Sequence, residues 1–107
     1  MDRKKDMIIS GGENIYCPEV ESILMSHPKI AEASAIGYPH DLWGEVVRAI
    51  VVKKADQALT EQEIIEYCTT KMAKYKVPKS VVFINALPVN AAGKVLKRVL
   101  REQYGKA

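Results

Sequence analysis

The run VVRAIVV, Val46 to Val52, decides the fold. Five of its seven residues are β-branched, side chains that lose rotamer freedom in a helix and fit a pleated surface, and its length is that of an ordinary strand. A second strand candidate, Ile30 to Tyr38, precedes it, and the loop PHDLWGE, Pro39 to Glu45, joins the two.

Upstream, Met7, Ile8 and Ile9, then Ser10-Gly11-Gly12, then Asn14-Ile15-Tyr16 read as two short strands around a glycine turn. CPEVESILMSHP follows as a helix, with Pro18 in the first turn and Glu19 and Glu21 near its positive end. Val20, Ile23 and Leu24 form its buried stripe, and Pro28 ends it. Downstream, Thr60 opens a second helix, Glu63 completes a capping box, and Leu59 faces Ile64 as a hydrophobic staple. Ile64, Ile65, Cys68 and Met72 carry its core face. The basic loop KYKVPK leads to a strand from Ser80 to Ala86. A last helix from about Val95 is predicted to bury Leu96, Val99 and Leu100 and to turn Lys97, Arg98 and Arg101 outward. Strands and helices in this mixed order predict an α+β domain: a small, mostly antiparallel sheet with flanking helices, preceded by a two-stranded hairpin.

A chain of 107 residues, 48% hydrophobic and 27% charged, fits one soluble globular domain. Its net charge of +3 is mild and tolerates anionic partners without requiring them. Cys17 and Cys68 lie far apart with no metal-ligand spacing, which predicts a reduced, cytoplasmic setting. No apolar run reaches the roughly 18 residues of a membrane span, and no signal-peptide core follows the charged N-terminus.

Several motifs bear on chemistry. Gly93-Lys94 is not a Walker loop, because no glycine stands five positions before Gly93 and Val95 replaces the required Ser or Thr. A phosphate grip, a nucleic-acid patch and a solvent-facing lysine all fit what remains. SGGEN, Ser10 to Asn14, lacks GxGxxG and reads as a hairpin turn. His27 and His40 have no ligand partner at helical or turn spacing, so both read as structural. Trp43, the only tryptophan, sits on a loop, where a binding surface and a cap over a small core fit equally. The lysines between 71 and 79, interleaved with Tyr75, suit either a solvent face or a nucleotide.

Taken together, DRKKDMIISGGENIYCPEVE, GYPHDLWGE, YKVPKSVVFINALP and NAAGKVLKR resemble, in order and spacing, the C-terminal domain of the adenylate-forming enzymes, in the acyl-CoA synthetase branch. The resemblance covers nearly the whole chain. It implies that residues 1–107 are the lid of an AMP-forming acyl-CoA ligase, with residues 1–6 as hinge segment and a large N-terminal domain outside this chain. In that family a carboxylate attacks the α-phosphate of ATP, giving an acyl-adenylate and pyrophosphate. The lid then rotates, and a CoA thiol takes the acyl group and releases AMP.

The resemblance assigns Lys94 as the catalytic lysine, Arg3 to the ATP ribose and Lys5 to the hinge. It places Gly12 and Trp43 on the tunnel for the pantetheine arm of CoA, and Tyr75, Lys76 and Lys79 near the CoA nucleotide. ATP and CoA are then substrates, with Mg2+ expected in the full enzyme and bound outside this chain; no metal ligand is assigned here. PVNAAGK, Pro88 to Lys94, also fits the pattern at which lysine acetyltransferases act, and a neutral Lys94 would lose the charge that adenylation needs. The acid itself, whether fatty, aromatic or short, is chosen by the other domain. Two other classes compete: a free-standing basic module using Arg3, Lys4, Lys5 and the 71–79 lysines on nucleotide or nucleic acid, and a protein-interaction domain. Steep salt dependence of oligonucleotide binding would mark the first.

Overall fold

The computed structural model describes residues 7–105, so Arg3, Lys5 and the segment 1–6 lie outside the described residues. The expected hairpin is present as β1 (Met7–Ser10) and β2 (Glu13–Tyr16), paired from Met7↔Tyr16 to Ser10↔Glu13. Two residues remain for the turn. Gly11 and Gly12 take φ values of 58° and 86°, the doubly left-handed geometry that matches the twist of a tight hairpin and that glycine enters without strain.

The centre of the sheet is VVRAIVV, within β4 (Gly44–Lys53). β3 (Ile30–His40) runs antiparallel along one edge of β4 from Ile30↔Lys53 to His40↔Gly44. The other edge of β4 is shared between β1, antiparallel at Ser10↔Gly44, and β5 (Ser80–Phe83), which is parallel from Arg48↔Ser80 to Val51↔Phe83. The sheet is therefore mostly antiparallel with one parallel pair, and the parallel pair requires the crossover that α2 (Glu61–Thr69) supplies.

The apolar residues of β4 do not alternate with polar ones because both sheet faces are covered. Val47, Ala49 and Val51 enter a first core with Cys17, Val20 and Leu24 of α1 (Cys17–Met25) and Ile64 and Cys68 of α2. Ile50 enters a second core with Ile36, Leu87 and Leu100, the last from α3 (Lys97–Tyr104). Each fully buried Val or Ile contributes about 1.5–3 kcal/mol by leaving water. The Thr60–Glu63 capping box forms as expected: Thr60 Oγ1 accepts from Glu63 N at 3.2 Å, and Glu63 Oε1 accepts from Thr60 N at 2.9 Å.

Three expectations need correction. The strand after the basic loop ends at Phe83 rather than Ala86: Ile84 N still donates to Val51 O at 3.0 Å, but the chain bends at Asn85 and Ala86 and leads Leu87 into the second core. The last helix begins at Lys97, not Val95: Val95 bridges Val89, and Leu96 N donates to Pro88 O at 2.8 Å, so both belong to a hairpin. Lys97 consequently does not face outward but lies half-buried against Glu21. Val99 and Leu96 are half-buried, leaving Leu100 as the fully buried residue of that helix.

Burial pushes the Cys68 thiol up from 9.0 to about 11. The unfolded chain would release this proton near pH 9 while the folded chain retains it until about 11, so stability should fall between those values as pH rises. The loss expected is on the order of 2 to 3 kcal/mol at most. Urea midpoints measured from pH 8 to 11 should show this drop in the wild-type chain and a smaller one in Cys68→Ala.

Candidate functional site

Lys94 sits on a loop whose shape is built by its own residues. Asn90 Oδ1 accepts from Ala92 N at 2.9 Å and from Lys94 N at 3.0 Å, an asparagine side chain taking the place of backbone in a turn. Asn90 N donates to Lys94 O at 3.0 Å, and Gly93 N to Asn90 O at 2.9 Å. Gly93, at φ 83°, supplies the left-handed step that closes the turn. The Val89–Val95 bridge and the Leu96–Pro88 hydrogen bond continue this into a short hairpin. Lys94 is exposed at its tip, and among the described residues its ammonium makes no hydrogen bond or ion pair. A cation so presented is available to a ligand outside the chain.

Trp43, Gly11, Gly12 and Lys79 come together near the start of β4. Trp43 O accepts from Gly11 N at 2.9 Å, and the indole lies so close to Gly11 that an added Cβ would meet its Cδ1 at 3.5 Å. His40 stacks on the indole, with 4.7 Å between centroids and 12° between planes, and its Nδ1 accepts from Leu42 N and Trp43 N. The ring is thereby held, yet stays 44% exposed. Lys79 Nζ stands 5.4 Å from the indole centroid, close enough for a cation–π attraction. Gly12 has open space around it, with nothing within 4 Å of an added Cβ, so its positive φ is what resists substitution from within this chain.

Tyr75 and Lys76 lie on the 3-10 turn Lys74–Lys76, with Tyr75 partly exposed and Lys76 Nζ 5.7 Å from its ring. Lys76 is already engaged: Glu19 accepts from it at 3.0 and 3.2 Å, and this hydrogen bond holds the lysine above its ordinary pKa. Lys79 thus carries a freer charge than Lys76 does. Lys94 makes no hydrogen bond, ion pair or ring contact with the Trp43 group among the described residues.

Two contributors were missed in the sequence. Asn90 shapes the lysine loop, and the Asn-Ala-Ala-Gly order was its available signal. His40, read as structural, is structural in a particular way: it brackets Trp43 across a hairpin loop, which needs the strand register to become visible.

Comparison with known proteins assigns the family. A family model described as the AMP-binding enzyme C-terminal domain matches residues 19–94. The long-chain-fatty-acid–CoA ligase FadD13 of Mycobacterium tuberculosis is 56% identical over 104 residues, covering 96% of this chain and 20% of that protein. A 2-succinylbenzoate–CoA ligase of Bacillus cereus is 52% identical over 102 residues, covering 95% of this chain and 21% of the other. Among solved structures, a Mycobacterium tuberculosis fatty acyl CoA synthetase superposes with a TM-score of 0.88 at 52% identity, over 94% of this chain and 20% of that one. The o-succinylbenzoate CoA synthetase MenE of Bacillus subtilis, in complex with an acyl-adenylate intermediate, superposes with a TM-score of 0.87 at 44% identity, over 94% and 20%. The chain spans about a fifth of the length of the curated relatives it matches. With a family match over most of its length and a shared fold at this identity, the chain belongs to the family of AMP-binding enzyme C-terminal domains.

Proposed function

We propose that this chain is the mobile C-terminal lid of an AMP-forming acyl-CoA ligase, working with a large N-terminal domain of the same enzyme that binds ATP, Mg2+ and the carboxylic acid. The observation that carries the reading is Lys94, an exposed ammonium without a partner among the described residues, on a self-braced loop, in a chain whose relatives are CoA ligases by name. In carboxylate activation, negative charge grows on the α-phosphate and the attacking carboxylate oxygen as pyrophosphate departs. A positive charge preset between them lowers that barrier without reorganising at the moment of reaction.

The second half-reaction would use the group around Trp43. There the CoA sulfur attacks the acyl carbon and AMP leaves. Gly12 and Trp43 would line the path of the thin pantetheine arm, with Lys79 and Tyr75 near the CoA nucleotide and Lys76 joining only by leaving Glu19. Arg3 on the ATP ribose and Lys5 as the hinge complete the assignment, and a lysine acetyltransferase acting at Lys94 would switch activation off. A cytoplasmic setting belongs to the same proposal; among the described residues no helix is long and apolar enough to cross a membrane. Of the lysines on the surface proposed for the competing nucleic-acid module, Lys76 is held by Glu19 and is not free to meet a phosphate without leaving it.

The test is pyrophosphate exchange with a panel of carboxylic acids. The isolated chain should be silent, because one lysine cannot orient two substrates by itself. The same chain joined to its N-terminal domain should exchange. Turnover by the pure chain would refute the lid assignment.

A further inference from the structure

We infer that the ion pair between Glu21 and Lys97 is a clasp that positions the Lys94 loop, which makes both of them positioning residues for carboxylate activation. The inference rests on the reading of Lys94 above. β3 pairs with β4 along one side only, so its outer edge offers unpaired backbone groups. At Ala35 that edge is closed by two side chains. Glu21 Oε2 accepts from Ala35 N at 2.9 Å and from Ser34 Oγ at 3.1 Å, and Lys97 Nζ donates to Ala35 O at 2.8 Å. Glu21 and Lys97 then pair with each other, both largely shielded from solvent, with side-chain exposures of 22% and 17%.

The two partners come from opposite faces of the sheet. Glu21 belongs to α1, which packs in the first core, and Lys97 opens α3, which packs in the second. The pair therefore reaches around the edge of β3 and ties the two helix layers together. Lys97 is also three residues beyond Lys94 and directly follows the hairpin that carries it.

That hairpin, Pro88 to Leu96, is braced internally by Asn90, by the Val89–Val95 bridge and by the Leu96–Pro88 hydrogen bond. Its attachment to the body is of two kinds. Leu87 and Val95 hold it through the second core, but apolar contact is non-directional and tolerates rotation. Lys97 holds it through charge-assisted hydrogen bonds, which have preferred lengths and angles. Without the clasp the domain would keep its cores while the hairpin swung as a unit, taking the Lys94 ammonium off its target. Misplacement by about 1 Å is enough to cost up to roughly 100-fold in rate.

The test uses both the two-domain enzyme and the 107-residue chain. In the enzyme, Lys97→Met should lower kcat for acyl-adenylate formation by about 10- to 100-fold with KM for the acid nearly unchanged. Thioester formation from supplied acyl-adenylate should stay within about twofold of wild type, and Lys97→Arg should recover most of the lost rate, since it keeps charge and donors. Glu21→Gln, which keeps an acceptor for Ala35 and Ser34, should act like Lys97→Met, and the double variant should be no worse than either single one. It also carries the test if Lys97→Met does not fold. In the chain alone, backbone order parameters over residues 89–95 should fall in Lys97→Met while those of β1 and β2 hold. Unchanged adenylation, equal loss in both half-reactions, no recovery with Lys97→Arg, or unchanged order parameters would each overturn the clasp. If the order parameters fall but Lys94→Ala itself leaves adenylation intact, the role of Lys94 fails and the clasp survives only as a mechanical tie.

Discussion

Lys94→Ala in the two-domain enzyme is expected to cut acyl-adenylate formation by roughly 100-fold or more, the scale for losing one preorganised electrostatic contact in a transition state. The variant removes an ammonium that has no partner within the described residues, so it strands no buried charge and leaves both cores whole. The loop should survive as well, because its bonds run through the Asn90 side chain and backbone atoms of Lys94. A folded enzyme with near-normal substrate binding and a collapsed kcat is the expected pattern. Thioester formation from supplied acyl-adenylate should continue. Adenylation within a few-fold of wild type, with circular dichroism unchanged, would return Lys94 to the status of a solvent-facing lysine.

Trp43→Ala should do the reverse, sparing adenylation and raising KM for CoA by about 10-fold or more, the scale for truncating an aromatic anchor in an interface. The indole stacks on His40, approaches Gly11 and sits under the Lys79 ammonium, but it is 44% exposed and belongs to neither core. Its loss should therefore cost little stability. Trp43→Phe, which retains a ring to stack on His40, should fall between alanine and wild type. Loss of adenylation on a par with thioester formation would show that the ring serves the domain as a whole and not the CoA path.

Local signals in the chain were enough to place most of the elements. The Thr60–Glu63 box, Pro18 in the first turn and the Gly11-Gly12 turn act through neighbours a few residues away, so their geometry follows from order along the chain. VVRAIVV identified a strand because β-branched side chains carry that preference wherever they sit. The motif order from SGGEN to NAAGKVLKR was equally visible, and with it the family.

What stayed hidden depended on contacts between residues far apart in sequence. β5 joins β4 in parallel across a register that no local pattern encodes, and Arg48 is drawn into the same region, donating to Ser80 Oγ at 2.9 Å and to Tyr104 O at 2.9 Å. Helical spacing counted from Val95 turned Lys97 toward water, whereas the Val89–Val95 bridge delays the helix by two residues and swings that side chain to Ala35 and Glu21. A lysine looks the same in sequence whether it meets solvent, as Lys94 does, or a carboxylate, as Lys76 and Lys97 do. Which charges are paired is settled by the distances that folding sets between elements, because ion pairs and hydrogen bonds fade over a few ångströms while sequence order says nothing of those separations.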